Sequence, residues 1–209
     1  MRVSCGVGPH RVQDTSDHRV LIPPIWRLPL ALPFSRRTLP SDGPRDGPPV
    51  NSIDSKGRAL VIGASSGMGA ALVRQLVREG YSVGGVARRG EALVALAQEL
   101  ASEAGSFMHR AHDVTDAGEA PDVFDELVSE LGGLDLFIYA AGVMPDVGPE
   151  EYDTEKDLAM IDVNLGGCVT WTNLAARLFH TQRGGTIVGI GSIAGDRGRK
   201  GAPVYGATK

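Results

Sequence analysis

From Arg58 to Gly191 the chain alternates short apolar runs with amphipathic stretches, a pattern that few folds can accommodate. Ala59-Leu60-Val61-Ile62 is apolar at every position and ends at Gly63, the signature of a strand buried on both faces. Behind it Leu72, Val73, Leu76 and Val77 form a stripe at helical spacing, and Gly80 stops the predicted helix. Tyr81–Ala87 reads as a second strand, Glu91–Ala104 as a helix rich in Ala, Leu and Glu, and Phe107–Ala111 as a third strand. Pro121 opens the next helix at the position proline tolerates best; Val123, Phe124, Leu127, Val128 and Leu131 face inward, and Gly132 ends it. Leu134–Tyr139 is a fourth predicted strand, about Glu155 to Gln182 a longer helix, and Thr186–Gly191 a fifth strand. Strands alternating with helices require right-handed crossovers, so the expected fold class is α/β with a doubly wound, mainly parallel sheet.

The first 55 residues follow other rules. They hold nine of the chain's thirteen prolines, each removing a backbone donor and biasing its predecessor away from helix. Val20 to Phe34 is apolar but broken by four prolines and Arg27, too interrupted for a membrane span or a signal segment. The expected organisation is a disordered, Pro-rich leader over 1–55 and one folded domain over 56–209. A net charge of -4 offers no electrostatic basis for nucleic acid or an anionic membrane as partner. Cys5 and Cys168 form neither a disulfide framework nor a metal-ligand spacing, which favours a cytoplasmic location and no metal. His109 and His112, three apart on a strand and its exit, read as structural.

Between the first strand and first helix lies Gly63-Ala64-Ser65-Ser66-Gly67-Met68-Gly69. Glycines here permit a tight turn, a close approach of backbone to a pyrophosphate, and close packing of helix on sheet. The helix N-terminus then offers free N–H groups and partial positive charge to that anion. The second strand ends Val86-Ala87-Arg88-Arg89, without the carboxylate that would hold a ribose 2′-hydroxyl. Arg88 and Arg89, with the Ser65 or Ser66 hydroxyls, suit a 2′-phosphate instead, so NADP is favoured over NAD.

Chemistry is suggested by the end of the chain. Ser192 closes the fifth strand, and thirteen residues later comes Tyr205-Gly206-Ala207-Thr208-Lys209. Tyr205 and Lys209 at i, i+4 would share a helix face. Reducing a carbonyl requires a proton for its oxygen. A phenol holds its proton tightly, and an ammonium about 4 Å away favours release by about 4 kcal/mol at an effective dielectric near 20. Ser192 could stabilise charge developing on the substrate oxygen. The same Tyr-x-x-x-Lys spacing occurs at Tyr152–Lys156, but thirteen residues before Tyr152 stands Tyr139 and not a serine, so that copy reads as helix-start surface chemistry.

With these motifs in hand, Arg58–Lys209 resembles the short-chain dehydrogenase/reductase family. The resemblance implies a Rossmann-like fold and an NADP-dependent interconversion of a ketone or aldehyde with an alcohol, a small-molecule substrate whose identity stays open. It implies that Ser192 polarises substrate, Tyr205 transfers the proton, and Lys209 also holds the nicotinamide ribose. Asn164, in Ile161-Asp162-Val163-Asn164-Leu165-Gly166, would support a water-mediated proton relay, and Asp113-Val114 would contact adenine. Where the family has Asn-Asn-Ala-Gly, this chain has Tyr139-Ala140-Ala141-Gly142; small residues at Ala140, Ala141 and Gly142 still admit the cofactor, but the asparagine side-chain bonds are gone. Because Lys209 is also the last residue, the expectation is a family member truncated at its C-terminus and lacking the last two strands. It would have an open edge on the fifth strand and little or no reductase activity, and its full-length parent would form a homo-oligomer. A non-catalytic or inactive nucleotide-binding fragment is the alternative.

Overall fold

In a computed structural model of the chain, the structure describes residues 56–148, 150–198 and 201–209. The leader expected over 1–55 lies outside these residues. The elements are β1 (Arg58–Ile62), α1 (Gly67–Arg78), β2 (Ser82–Ala87), α2 (Gly90–Leu100), β3 (Ser106–Ala111), α3 (Ala120–Leu131) and β4 (Leu136–Tyr139). There follow α4 (Thr154–Met160), a π-helical turn (Ile161–Gly167), α5 (Cys168–Gln182), β5 (Thr186–Gly189), α6 (Ile193–Asp196) and α7 (Pro203–Thr208). The five strands are all parallel in the order β3-β2-β1-β4-β5. This is the Rossmann-like arrangement that the alternating pattern implied.

The period of the strand divides the core into two layers. Leu60 and Ile62 of β1 point to one face, where they join Phe124 and Leu127 of α3 and Trp171 and Phe179 of α5. Ala59 and Val61 point to the other, against Val73 and Val77 of α1 and Leu93, Leu96 and Leu100 of α2. Ala59, Leu60, Val61 and Ile62 of β1 are fully buried because helices cover both faces, which is why that run is continuously apolar. His109 and His112 have packing partners: His109 lies 5.8 Å from the Phe107 ring, and buried His112 meets Trp171 edge-on.

Several boundaries differ from expectation. α2 ends at Leu100 and not Ala104, because the chain must turn at Gly105, whose amide bonds the Val77 carbonyl at 2.9 Å. β4 starts at Leu136; Leu134 is fully buried but precedes the ladder, and Asp135 instead forms an ion pair with Arg58 at 2.9 Å. β5 stops at Gly189, since the chain leaves the sheet before Ser192. The long helix is present but not uniform: a π turn interrupts it around Asn164. All four β5 residues are exposed, and among the described residues β5 pairs only with β4. No described helix is long and apolar enough to cross a membrane.

Candidate active site

Strand order reverses between β1 and β4, which leaves a crevice beyond their carboxyl ends. A cleft of about 380 Å³ opens there. Its walls are Gly63, Ser65, Ser66, Gly67 and Met68 from the first turn, Ala87, Arg88 and Arg89 from the end of β2, and Val114 after β3. Ala140, Ala141, Gly142 and Val143 after β4, and Val163 from the π turn, complete it.

The glycines divide the work as their chemistry requires. Gly63 has φ +92°, and a methyl there would sit 2.5 Å from the Ala141 amide nitrogen, so backbone packs on backbone beneath the cleft. Gly67 has φ +55° and open space in front of it, and it supplies the close approach. Gly69 is not in the cleft wall; a methyl there would overlap the Gly63 carbonyl, so it is the residue that lets α1 seat on the turn.

α1 begins at this cleft with no acid in its first turn and no side-chain cap bond from Ser66. Its first amides thus carry the unmatched positive end of the helix, the requirement for holding a phosphate. The serine hydroxyls face an arginine: Arg89 donates to Ser65 Oγ at 3.2 Å and also to Ser66 Oγ. Arg88 is largely exposed and lies 3.7 Å from Asp113 Oδ2. Asp113 itself is outside the cleft wall; its Oδ1 accepts from the Thr115 amide at 3.0 Å and the Thr115 hydroxyl at 2.8 Å. Partial burial alone would raise its carboxyl, but the Thr115 bonds, with Arg88 and His112, hold it below the usual range. The adjacent Val114 does line the cleft.

None of the four expected catalytic residues lines the cleft. Asn164, 4% exposed, accepts from the Val143 amide at 2.7 Å and donates to the Val143 carbonyl at 2.9 Å and to Thr208 Oγ1 at 3.1 Å. Thr208 in turn donates to the Tyr205 carbonyl at 2.9 Å. The Lys209 amine lies 6.0 Å from the centre of the Tyr205 ring and donates to the Ile190 carbonyl at 3.2 Å. Ser192 caps α6, its Oγ accepting from the Ala194 amide at 3.2 Å, and α6 packs on α7. Gly142 joins the two regions: it lines the cleft, and a methyl there would lie 2.9 Å from the Lys209 amine and 3.4 Å from Asn164 Oδ1.

Ala87, Val143 and Val163 in the cleft wall, and the Thr208 bridge, were absent from the sequence reading. Val163 adjoins Asn164 and Val143 adjoins Gly142, but nothing in their residue types marks them. The Tyr152–Lys156 copy is surface: Tyr152 is 92% exposed, and Lys156 pairs with Glu151 at 2.5 Å. Among the described residues no group of three or more His, Cys, Asp or Glu is arranged to hold a metal ion.

Fold and cleft together define a Rossmann-type α/β domain with a glycine-rich first turn that lines the cleft. Residues 57–209 match the family described as short chain dehydrogenase, and the chain belongs to that family. It is 34% identical over 149 residues to carbonyl reductase family member 4 of Xenopus tropicalis, covering 71% of this chain and 61% of that protein. It is 32% identical over 152 residues to a probable NADP-dependent dehydrogenase of Haemophilus influenzae, covering 72% of this chain and 59% of that protein. An actinorhodin polyketide ketoreductase solved with NADPH superposes with a TM-score of 0.69 at 30% identity, covering 74% of this chain and 60% of the other. The chain thus spans about three-fifths of the length of these relatives.

Proposed function

We propose that the protein is an NADP-dependent oxidoreductase that interconverts a ketone or aldehyde and an alcohol. The residues present fit the nucleotide. The bare glycine turn and the uncapped start of α1 would hold the pyrophosphate, Arg88 and Arg89 the 2′-phosphate, and Ala140 to Gly142 would leave room for the nicotinamide half. The bound nicotinamide would supply or accept the hydride. Tyr205 would give its phenolic proton to the carbonyl oxygen, Ser192 would hydrogen-bond that oxygen, and the Lys209 ammonium would stabilise the phenolate left behind. Asn164 would hold the loop wall through Val143. The observation that carries this reading is Gly142, the point where the nucleotide cleft opens onto the Lys209 amine.

The names of the relatives support the cofactor choice, since one is a probable NADP-dependent dehydrogenase and another was solved with NADPH. A cytoplasmic location is proposed on the free thiol of Cys168, and a homo-oligomer of the full-length parent on the exposed apolar residues of the long helix. The test has two arms. Fluorescence titration should show NADPH binding at least about tenfold tighter than NADH, with Arg89→Ala removing most of the difference, because one charge-assisted hydrogen-bonding group is worth roughly that factor. Equal binding of the two nucleotides by the unsubstituted chain would overturn the NADP assignment. Tyr205→Phe should lower whatever carbonyl-dependent NADPH oxidation the protein supports by at least about a hundredfold while leaving NADPH affinity nearly unchanged. Retained turnover would remove Tyr205 from the chemistry.

A further inference from the structure

Tyr139 ends β4 beside the cleft, is 3% exposed, and donates its phenolic hydrogen to the Val163 carbonyl at 2.6 Å. Val163 belongs to the π turn and lines the cleft. The next residue, Asn164, grips both main-chain groups of Val143 and the hydroxyl of Thr208, which itself bonds the Tyr205 carbonyl. A continuous set of bonds therefore runs from the end of β4 through the π turn to the start of the Tyr205–Lys209 segment. The far side of the Tyr139 hydroxyl is bounded by Gly167, where a methyl would lie 2.5 Å from Oη. Only a bare residue leaves that hydroxyl its place. Departures from the α ladder of this kind form where a side chain engages a helix carbonyl, and they concentrate at functional sites.

We propose that Tyr139 is a positioning residue whose hydroxyl, seated against Gly167, holds the Val163 carbonyl and so sets the π turn that aims Asn164 at Val143 and Thr208. Its consequence for the cofactor rests on the reading of the cleft as an NADP site.

Amide hydrogen exchange on the 209-residue chain, with a parallel NADPH titration, tests this. Tyr139→Phe keeps the ring and removes the oxygen. It should raise exchange at the Val143 amide, which bonds Asn164, by at least about fivefold, the equivalent of one hydrogen bond, while the β1–β2 ladder amides change by less than about twofold. A rise at Val143 no larger than in the ladder would make Tyr139 a merely stabilising residue and overturn the proposal. Gly167→Ala drives a methyl at the hydroxyl and should loosen Val143 in the same way. It should have a smaller effect in the Tyr139→Phe background, where the colliding atom is gone; effects that simply multiply would overturn the proposal. If Val143 responds as expected while the unsubstituted chain binds no NADPH, positioning stands and the cofactor reading falls. If NADPH binds and Val143 is indifferent, the reverse holds.

Discussion

Tyr139 stands where the family resemblance led to an asparagine, and its phenol donates to the Val163 carbonyl of the neighbouring π turn. Burial first, and then the charges of Cys168 and Asp113, push its phenol far above the ordinary value near 10. The folded state therefore holds this proton more tightly than the unfolded chain does. Its contribution is intact below about pH 10 and is lost as pH rises through the range above, where only the unfolded chain ionises. Urea unfolding should show stability falling above about pH 10, and Tyr139→Phe should flatten part of that fall. The same variant should sit about 1 kcal/mol lower at neutral pH, because it removes a buried hydrogen bond. An unchanged alkaline limb would mean that the phenol is not held as the geometry indicates. Arg89 carries a related lesson. A pair of arginines at a strand end is legible in sequence, but the bonds to Ser65 and Ser66 and the Arg88–Asp113 ion pair join residues 23 to 25 positions apart, and only the fold brings them together.

Among the elements, α4 shows how local chemistry and global role separate. Asp153 accepts from the Glu155 amide at 3.0 Å and the Lys156 amide at 3.2 Å, a side-chain N-cap that starts the long helix. Asp153→Ala should cost about 1 kcal/mol in thermal or urea unfolding without altering nucleotide affinity. A loss of NADPH binding there would show that the start of α4 couples to the cleft. The Tyr-x-x-x-Lys spacing at Tyr152 lies across this cap, with its tyrosine in solvent, whereas the copy at Tyr205 lies in a helix packed against α6 and the π turn. Spacing alone could not separate them; the serine thirteen residues before Tyr205 did. The amphipathic helices and the apolar strands were legible to within a few residues, since burial on one face or two imposes the periods of 3.6 and 2. The π turn was not, because it depends on Tyr139 reaching across from a strand 24 residues earlier.

Taken whole, the described domain leaves Leu158, Ile161, Leu165 and Val169 exposed at intervals that place them along one side of the long helix. We propose that apolar residues aligned in this way meet a second copy. Leu165→Lys with Val169→Lys should shift the molar mass measured by light scattering from dimer or higher toward monomer. A monomer before substitution would refute this. What residue order alone determined was the parallel α/β sheet and the glycine turn that opens α1, because each depends on short-range periodicity or on residues close in the chain. Tertiary structure decided the rest: that Gly142 in the cleft wall lies against the Lys209 amine, that Asn164 bonds Val143 and Thr208, and that Tyr139 bonds the Val163 carbonyl of the π turn. Those depend on distances between segments far apart in sequence, which packing of the two core layers sets and no local pattern encodes.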